Sequence, residues 1–195
     1  MPVASPAQAG TIFQVLGQVF GQIGRTVDWK EPTEFTIKPG LHDSIHPLLR
    51  RFKNSTITRA ISFDQGAIYT SVDPSNQADS NKLFGATDCN EIDPQKASAR
   101  FGWRWNLVTK QIELLAQVDH QGIHDVQYLG STEPGQVTVG TITAGKGYYD
   151  YTYQGKTTRV TRYCHGHWKG YVEYPYFGGQ EVAPTEVHFT LVNPL

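Results

Sequence analysis

From about residue 57 onward, apolar and polar residues alternate with a period of two, interrupted at intervals by turn-forming residues. Phe101, Trp103 and Trp105 stand between Arg100, Gly102 and Arg104, and Tyr149, Tyr151 and Tyr153 repeat the spacing. Successive side chains of an extended chain point to opposite faces, so each such row occupies one face of a strand. The pattern predicts strands near 57–64, 66–73, 99–107, 111–118, 123–130, 136–143, 147–153, 157–164, 168–174 and 185–192. Asp64-Gln65-Gly66, Asp119-His120-Gln121-Gly122, Glu133-Pro134-Gly135 and Gln154-Gly155-Lys156 mark turns between them. Short strands at hairpin spacing define the fold class as all-β, a two-sheet antiparallel sandwich of concanavalin-like or jelly-roll type. Residues 74–98, rich in Ser, Asn, Asp, Gln and Pro, read as a long loop.

The first part of the chain follows another period. Ile12, Val15, Leu16, Val19, Phe20 and Ile23 recur at three- and four-residue intervals, while Gln14, Gln18 and Gln22 stand opposite with Gly17, Gly21 and Gly24. Each glycine costs a helix roughly 1 kcal/mol relative to alanine, so this stripe needs a surface to lie against. It reads as an arm, helical or extended, packing on its own domain or on a neighbouring subunit. Residues 25–56 read as a connector with a short helix opened by Pro47. The expected organisation is an arm and connector over 1–56 and a sandwich over 57–195.

Composition narrows the function classes. Lys and Arg total 17 against 18 Asp and Glu, for a net charge of −1, which excludes a polybasic reader of nucleic acid or anionic membrane. Charged residues are only 18 % and aromatics reach 12 %, giving a weakly charged surface suited to contact with protein or glycan. No window approaches a membrane span, and no basic residue precedes Arg25 as a secretory signal requires. The expectation is a soluble protein, of a virion or of the cytoplasm. Cys89 and Cys164 form no CxxC pair, and two buried thiols are favoured over one disulfide.

Candidate chemistry is sparse. A retaining glucanase needs three carboxylates alternating along one strand, and Glu91-Ile92-Asp93 continues into Pro94-Gln95-Lys96, without the third. His165 and His167 would share a strand face, but no motif names a third ligand, while Asp88, Asn90 and Asp93 are candidate calcium ligands should the chain be a lectin-like module. No nucleophile elbow, phosphate loop or dinucleotide fingerprint is present, and no catalytic residue is assigned. Aromatic rows are the stronger signal. Phe101, Trp103 and Trp105 read as core, whereas Tyr149, Tyr151, Tyr153, Tyr174 and Tyr176 read as a binding platform or interface, because their hydroxyls seek water or a partner.

Three separated blocks, Asn81–Asn90, Ser98–Trp105 and Tyr174–Pro184, resemble a largely uncharacterised group of bacterial proteins with concanavalin A-like sandwiches. The resemblance spans about residues 80–195, implies the lectin- and glucanase-type fold, and brings no catalytic residues with it. The leading expectation is therefore a non-catalytic sandwich within a multi-subunit assembly, such as a phage capsid decoration protein, with protein subunits of its own kind as partners. The alternative is a lectin-like carbohydrate-binding module, and a weaker one is a glycan-active enzyme whose acids are distant in sequence.

Overall fold

The computed structural model describes residues 33–44 and 50–192, and the arm residues Ile12, Val15, Leu16, Val19, Phe20 and Ile23 lie outside them. Twelve strands follow in chain order among the described residues: β1 (Thr33–Ile37), β2 (Arg51–Lys53), β3 (Thr56–Phe63), β4 (Asn81–Thr87), β5 (Ala97–Asn106), β6 (Gln111–His120), β7 (Ile123–Thr132), β8 (Thr138–Gly145), β9 (Tyr148–Tyr153), β10 (Lys156–Thr161), β11 (Lys169–Glu173) and β12 (Val187–Val192). They form two six-stranded antiparallel sheets, ordered β1-β12-β3-β8-β9-β10 and β2-β11-β4-β5-β6-β7. The sandwich expected from the two-residue period is what the chain forms.

The core lies between the sheets. Phe101, Trp103 and Trp105 of β5 point inward, and Trp103 packs against Phe63 and Phe189 with ring centroids 5.2 and 5.5 Å away. Tyr149, Tyr151 and Tyr153 of β9 face the same interior and are buried, which corrects their reading as a wet platform. Their hydroxyls are satisfied inside: Tyr149 donates to Asp88, Tyr151 to the Gln117 carbonyl at 2.9 Å and Tyr153 to the Ser131 carbonyl at 3.1 Å. A tyrosine whose hydroxyl finds such an acceptor packs like a phenylalanine.

Several local expectations change. Residues 66–73 keep the alternation, with Ala67, Tyr69 and Ser71 buried, yet they form no ladder. Asp64 caps a short 3₁₀ turn at Gln65–Ala67 by accepting from the Gly66 amide, and the Ser71 amide donates to the Gln77 side chain instead of a strand. Within 74–98, read as loop, β4 is an interior strand paired with β5 and β11. The connector supplies β1, paired with β12, and β2, paired with β11 where a helix was expected; residues 45–49 lie outside the described set.

Cys89 and Cys164 form a disulfide, correcting the reading as free thiols. Their neighbours explain the approach. Buried Asp88 accepts from Arg162 Nε at 2.7 Å and from Tyr149, and the Trp168 indole donates to the Thr87 carbonyl at 3.0 Å. This polar knot draws the loop after β4 against the segment after β10. It also removes Asp88 as a calcium ligand, since a cation there would compete with a buried guanidinium.

Candidate functional site

The outer face of the second sheet carries polar residues in register. Opposed residues of antiparallel strands point to the same side. Glu173 of β11 lies opposite Gly85 of β4, Gly85 opposite Arg100 of β5, and Arg100 opposite Gln117 of β6. One step along, Ser98, Asp119 and His124 align across β5, β6 and β7. Along β5, the arginines occupy the face opposite the aromatic core, so a single alternation supplies both core and site.

Asp119 is the hub of this face. Its side chain is 0 % exposed and accepts from the Arg100 guanidinium, the Gln117 amide at 3.0 Å, the Ser98 hydroxyl at 3.3 Å and His124 Nδ1. Arg100 Nη1 also lies 3.8 Å from Glu173. A continuous line Glu173–Arg100–Asp119–His124 therefore crosses the sheet. Gly85 makes room for it: a Cβ there would sit 2.2 Å from the Ala99 carbonyl oxygen and 2.9 Å from Arg100 Cγ. Gly85→Ala is accordingly expected to displace Arg100 and cost about 1–3 kcal/mol, as overpacking does; urea unfolding of the variant checks this.

Above this floor runs an open groove of about 1310 Å³. Tyr128, Tyr174 and Tyr176 are among its lining residues, with Lys82, Arg104 and His124. His124 is half-exposed, and its bond to Asp119 through Nδ1 leaves Nε2 available for proton exchange. Burial pushes the Glu173 carboxyl above the usual range, Arg100 opposes that shift, and Asp93 adds to it. Burial pushes the Lys82 ammonium down to about 8, with a further lowering from Arg100 and an opposing pull from Asp79. Burial and the charge of Asp43 raise the Tyr176 hydroxyl. Arg104 is held by Glu113 at 2.6 Å and by the Ala78 carbonyl at 2.8 Å.

Of the residues singled out from sequence, Tyr174 and Tyr176 reach the groove, while Tyr149, Tyr151 and Tyr153 lie in the core. His165 and His167 are exposed on the segment before β11, away from the groove lining. Asp93 lines the groove and Asp88 is locked in the buried knot. Among the described residues, no group of three or more His, Cys, Asp or Glu side chains is placed to hold a metal ion, and no helix is long and apolar enough to cross a membrane. Arg100, Gln117, Asp119, His124 and Glu173 were not anticipated. Their signal was the polar residue between core residues: Arg100 beside Phe101, Gln117 and Asp119 around Val118.

No protein-family model matches the chain, and no curated protein matches it in sequence. Solved structures resemble it to differing degrees. The alginate lyase AlyC3 superposes with a TM-score of 0.57 at 12 % identity, over 83 % of this chain and 72 % of that one. The alginate lyase vAL-1 from Chlorella virus gives 0.48 at 11 % identity, over 87 % and 86 %, and the carbohydrate-binding module CBM66 from Bacillus subtilis gives 0.33 at 7 %, over 86 % and 88 %. The expectation of a non-enzyme is corrected by the first of these. It rested on the missing three-carboxylate strand, whereas AlyC3 shows the same sandwich supporting an enzyme, so the absence of that motif decides nothing.

Proposed function

We propose that the protein is glycan-active, holding a sugar chain along the groove on the outer face of the second sheet and acting on its linkages. The observation that carries this reading is the line Glu173–Arg100–Asp119–His124 across the floor of a tyrosine-walled groove. Tyr128, Tyr174 and Tyr176 offer ring faces and hydroxyls, a combination suited to sugars, whose own surface alternates apolar C–H faces with polar edges. Asp119 fixes the histidine with Nδ1 bonded to it, leaving Nε2 to exchange protons, and burial keeps Glu173 protonated further toward neutral pH than an ordinary carboxylate. The likeness to AlyC3 supports the scaffold, and the glycan-active reading is favoured over a capsid role.

The test is turnover on a panel of polysaccharides, followed both by new reducing ends and by the ultraviolet absorbance of unsaturated products. His124→Ala and Glu173→Gln are expected to lower kcat/KM about a hundredfold or more on the substrate that the native protein cleaves. Unchanged turnover in both variants, with folding intact by circular dichroism, would remove these two groups from the chemistry. Failure of every glycan either to bind or to be cleaved would remove the reading itself.

A further inference from the structure

Beyond the two rows of polar residues, the outer face of the second sheet carries a third row of different character. Tyr176 is bridged to Lys82, Lys82 opposes Gly102 of β5, Gly102 opposes Leu115 of β6, and Leu115 opposes Tyr128 of β7. Opposed residues share a side of the sheet, so this row has a tyrosine at each end and an apolar floor toward β7. The row before it, which holds Arg100 and Gln117, ends on β7 at Val126. His124, Val126 and Tyr128 therefore follow one another at two-residue steps on one face of β7, and all three line the groove.

Their exposure sets them apart. Among the described residues, the large apolar side chains left exposed within strands are Ile123, Val126 and Tyr128, all on β7, and the others lie in turns and loops. Val126 is 42 % and Tyr128 58 % exposed, and the buried Leu115 lies beside them. Toward β5 the floor has no comparable surface, because Arg100 and Asp119 are sunk in their buried ion pair. An apolar strip held open on a polar sheet face is a contact surface, and a tyrosine ring in line with branched side chains suits the C–H faces of successive sugars. A strand advances about 3.3 Å per residue, so Tyr128 stands about 13 Å along β7 from His124, farther than a disaccharide reaches.

We propose that the glycan lies lengthwise along β7, with the reacting bond at His124 and a more distant sugar, about two to three units away, stacked on Tyr128. The groove then selects its substrate by chain length, and Tyr128 is the residue that sets the selection. The proposal rests on the reading of this groove as a glycan site with His124 in the chemistry. Chains too short to reach Tyr128 lose its contact. Binding energy from remote sugars also orients the reacting bond, so such chains are cleaved slowly as well as bound weakly.

Calorimetric titration of the full chain tests it, with di-, tri- and hexasaccharides of a β-1,3-glucan, of N-acetylglucosamine and of mannuronate. Native protein, Tyr128→Ala and Tyr128→Trp are compared, with circular dichroism to report folding. In at least one series the native protein is expected to bind the hexasaccharide about tenfold or more tightly than the disaccharide. Tyr128→Ala should remove most of that gain and leave disaccharide affinity within about twofold, whereas Tyr128→Trp should keep the gain, because stacking needs a ring face and no hydroxyl. For a series that is cleaved, kcat/KM should rise with length in the native protein and stay flat in Tyr128→Ala. An affinity that does not grow with length, or a loss in Tyr128→Ala that is equal at every length, overturns this inference and leaves the glycan reading standing. So does light scattering that shows a native dimer separated by Tyr128→Ala, which would give the strip to a second copy of the chain. Binding of none of these oligosaccharides overturns both readings.

Discussion

Asp119→Ala is expected to lower the unfolding free energy by about 3–5 kcal/mol, the range found when one partner of a buried ion pair is removed. The loss arises mainly from what is left behind. Arg100 is itself buried, and its guanidinium would keep only Glu173, 3.8 Å away, as a counter-charge. The Gln117 amide, the Ser98 hydroxyl and His124 Nδ1 would lose their common acceptor together. Pairing of β5 with β6 would survive, because its backbone ladder is independent of these side chains. Guanidinium unfolding of native and variant protein measures the difference. Asp119→Asn keeps the shape and one acceptor oxygen but removes the charge, so it should fall between the two. A loss below about 1 kcal/mol for the alanine variant would mean that Arg100 finds another acceptor and that the hub is dispensable.

Reduction of the Cys89–Cys164 bond carries the second large effect. The two cysteines are 75 residues apart, and the chain-entropy relation for a loop of that size gives about 4–5 kcal/mol of stabilisation. The bond closes a segment containing β5 to β10, which belong to both sheets, so its loss frees the unfolded chain to separate them. In the folded state the neighbouring contact persists, since Asp88 and Arg162 remain buried and paired. The double variant Cys89→Ser, Cys164→Ala is therefore expected to keep the native circular dichroism spectrum and to unfold at a markedly lower temperature. Thermal unfolding with and without reductant, on native protein and variant, checks both parts. Equal melting temperatures under all four conditions would mean that the knot of Asp88, Arg162 and Tyr149 holds the segments together unaided. Bonds of this kind persist in oxidising surroundings, so the same comparison applies to material made in reducing and oxidising compartments.

The aromatic row of β5 and the tyrosine row of β9 had the same signature and met different expectations. Phe101, Trp103 and Trp105 have no hydroxyl and were read as core. Tyr149, Tyr151 and Tyr153 were assigned to a surface because of their hydroxyls, yet each finds an internal acceptor on a strand or loop remote in sequence. Local pattern shows that a row shares one face; it does not show which sheet covers that face. β4 was missed for a related reason. In Asn81-Lys82-Leu83-Phe84-Gly85-Ala86-Thr87 the buried Leu83 and Phe84 are adjacent, which breaks the two-residue alternation at a register shift, Gly85 is required where Arg100 crosses it, and a strand between two others has its ladder satisfied on both edges. The groove residues were present in the alternation as Arg100, Gln117 and Asp119, without anything to join them to Glu173 more than fifty residues further along.

The sequence by itself determined the all-β class, the strands from β5 to β12 and the inward face of β5, because each follows from a two-residue period and turn residues acting over short stretches. Only the tertiary structure decided the pairing of β4 with β5 and β11, the disulfide, and the line from Glu173 to His124. These depend on which strands become neighbours, and strand order is set by the burial of whole faces against one another rather than by any residue's immediate neighbours in the chain.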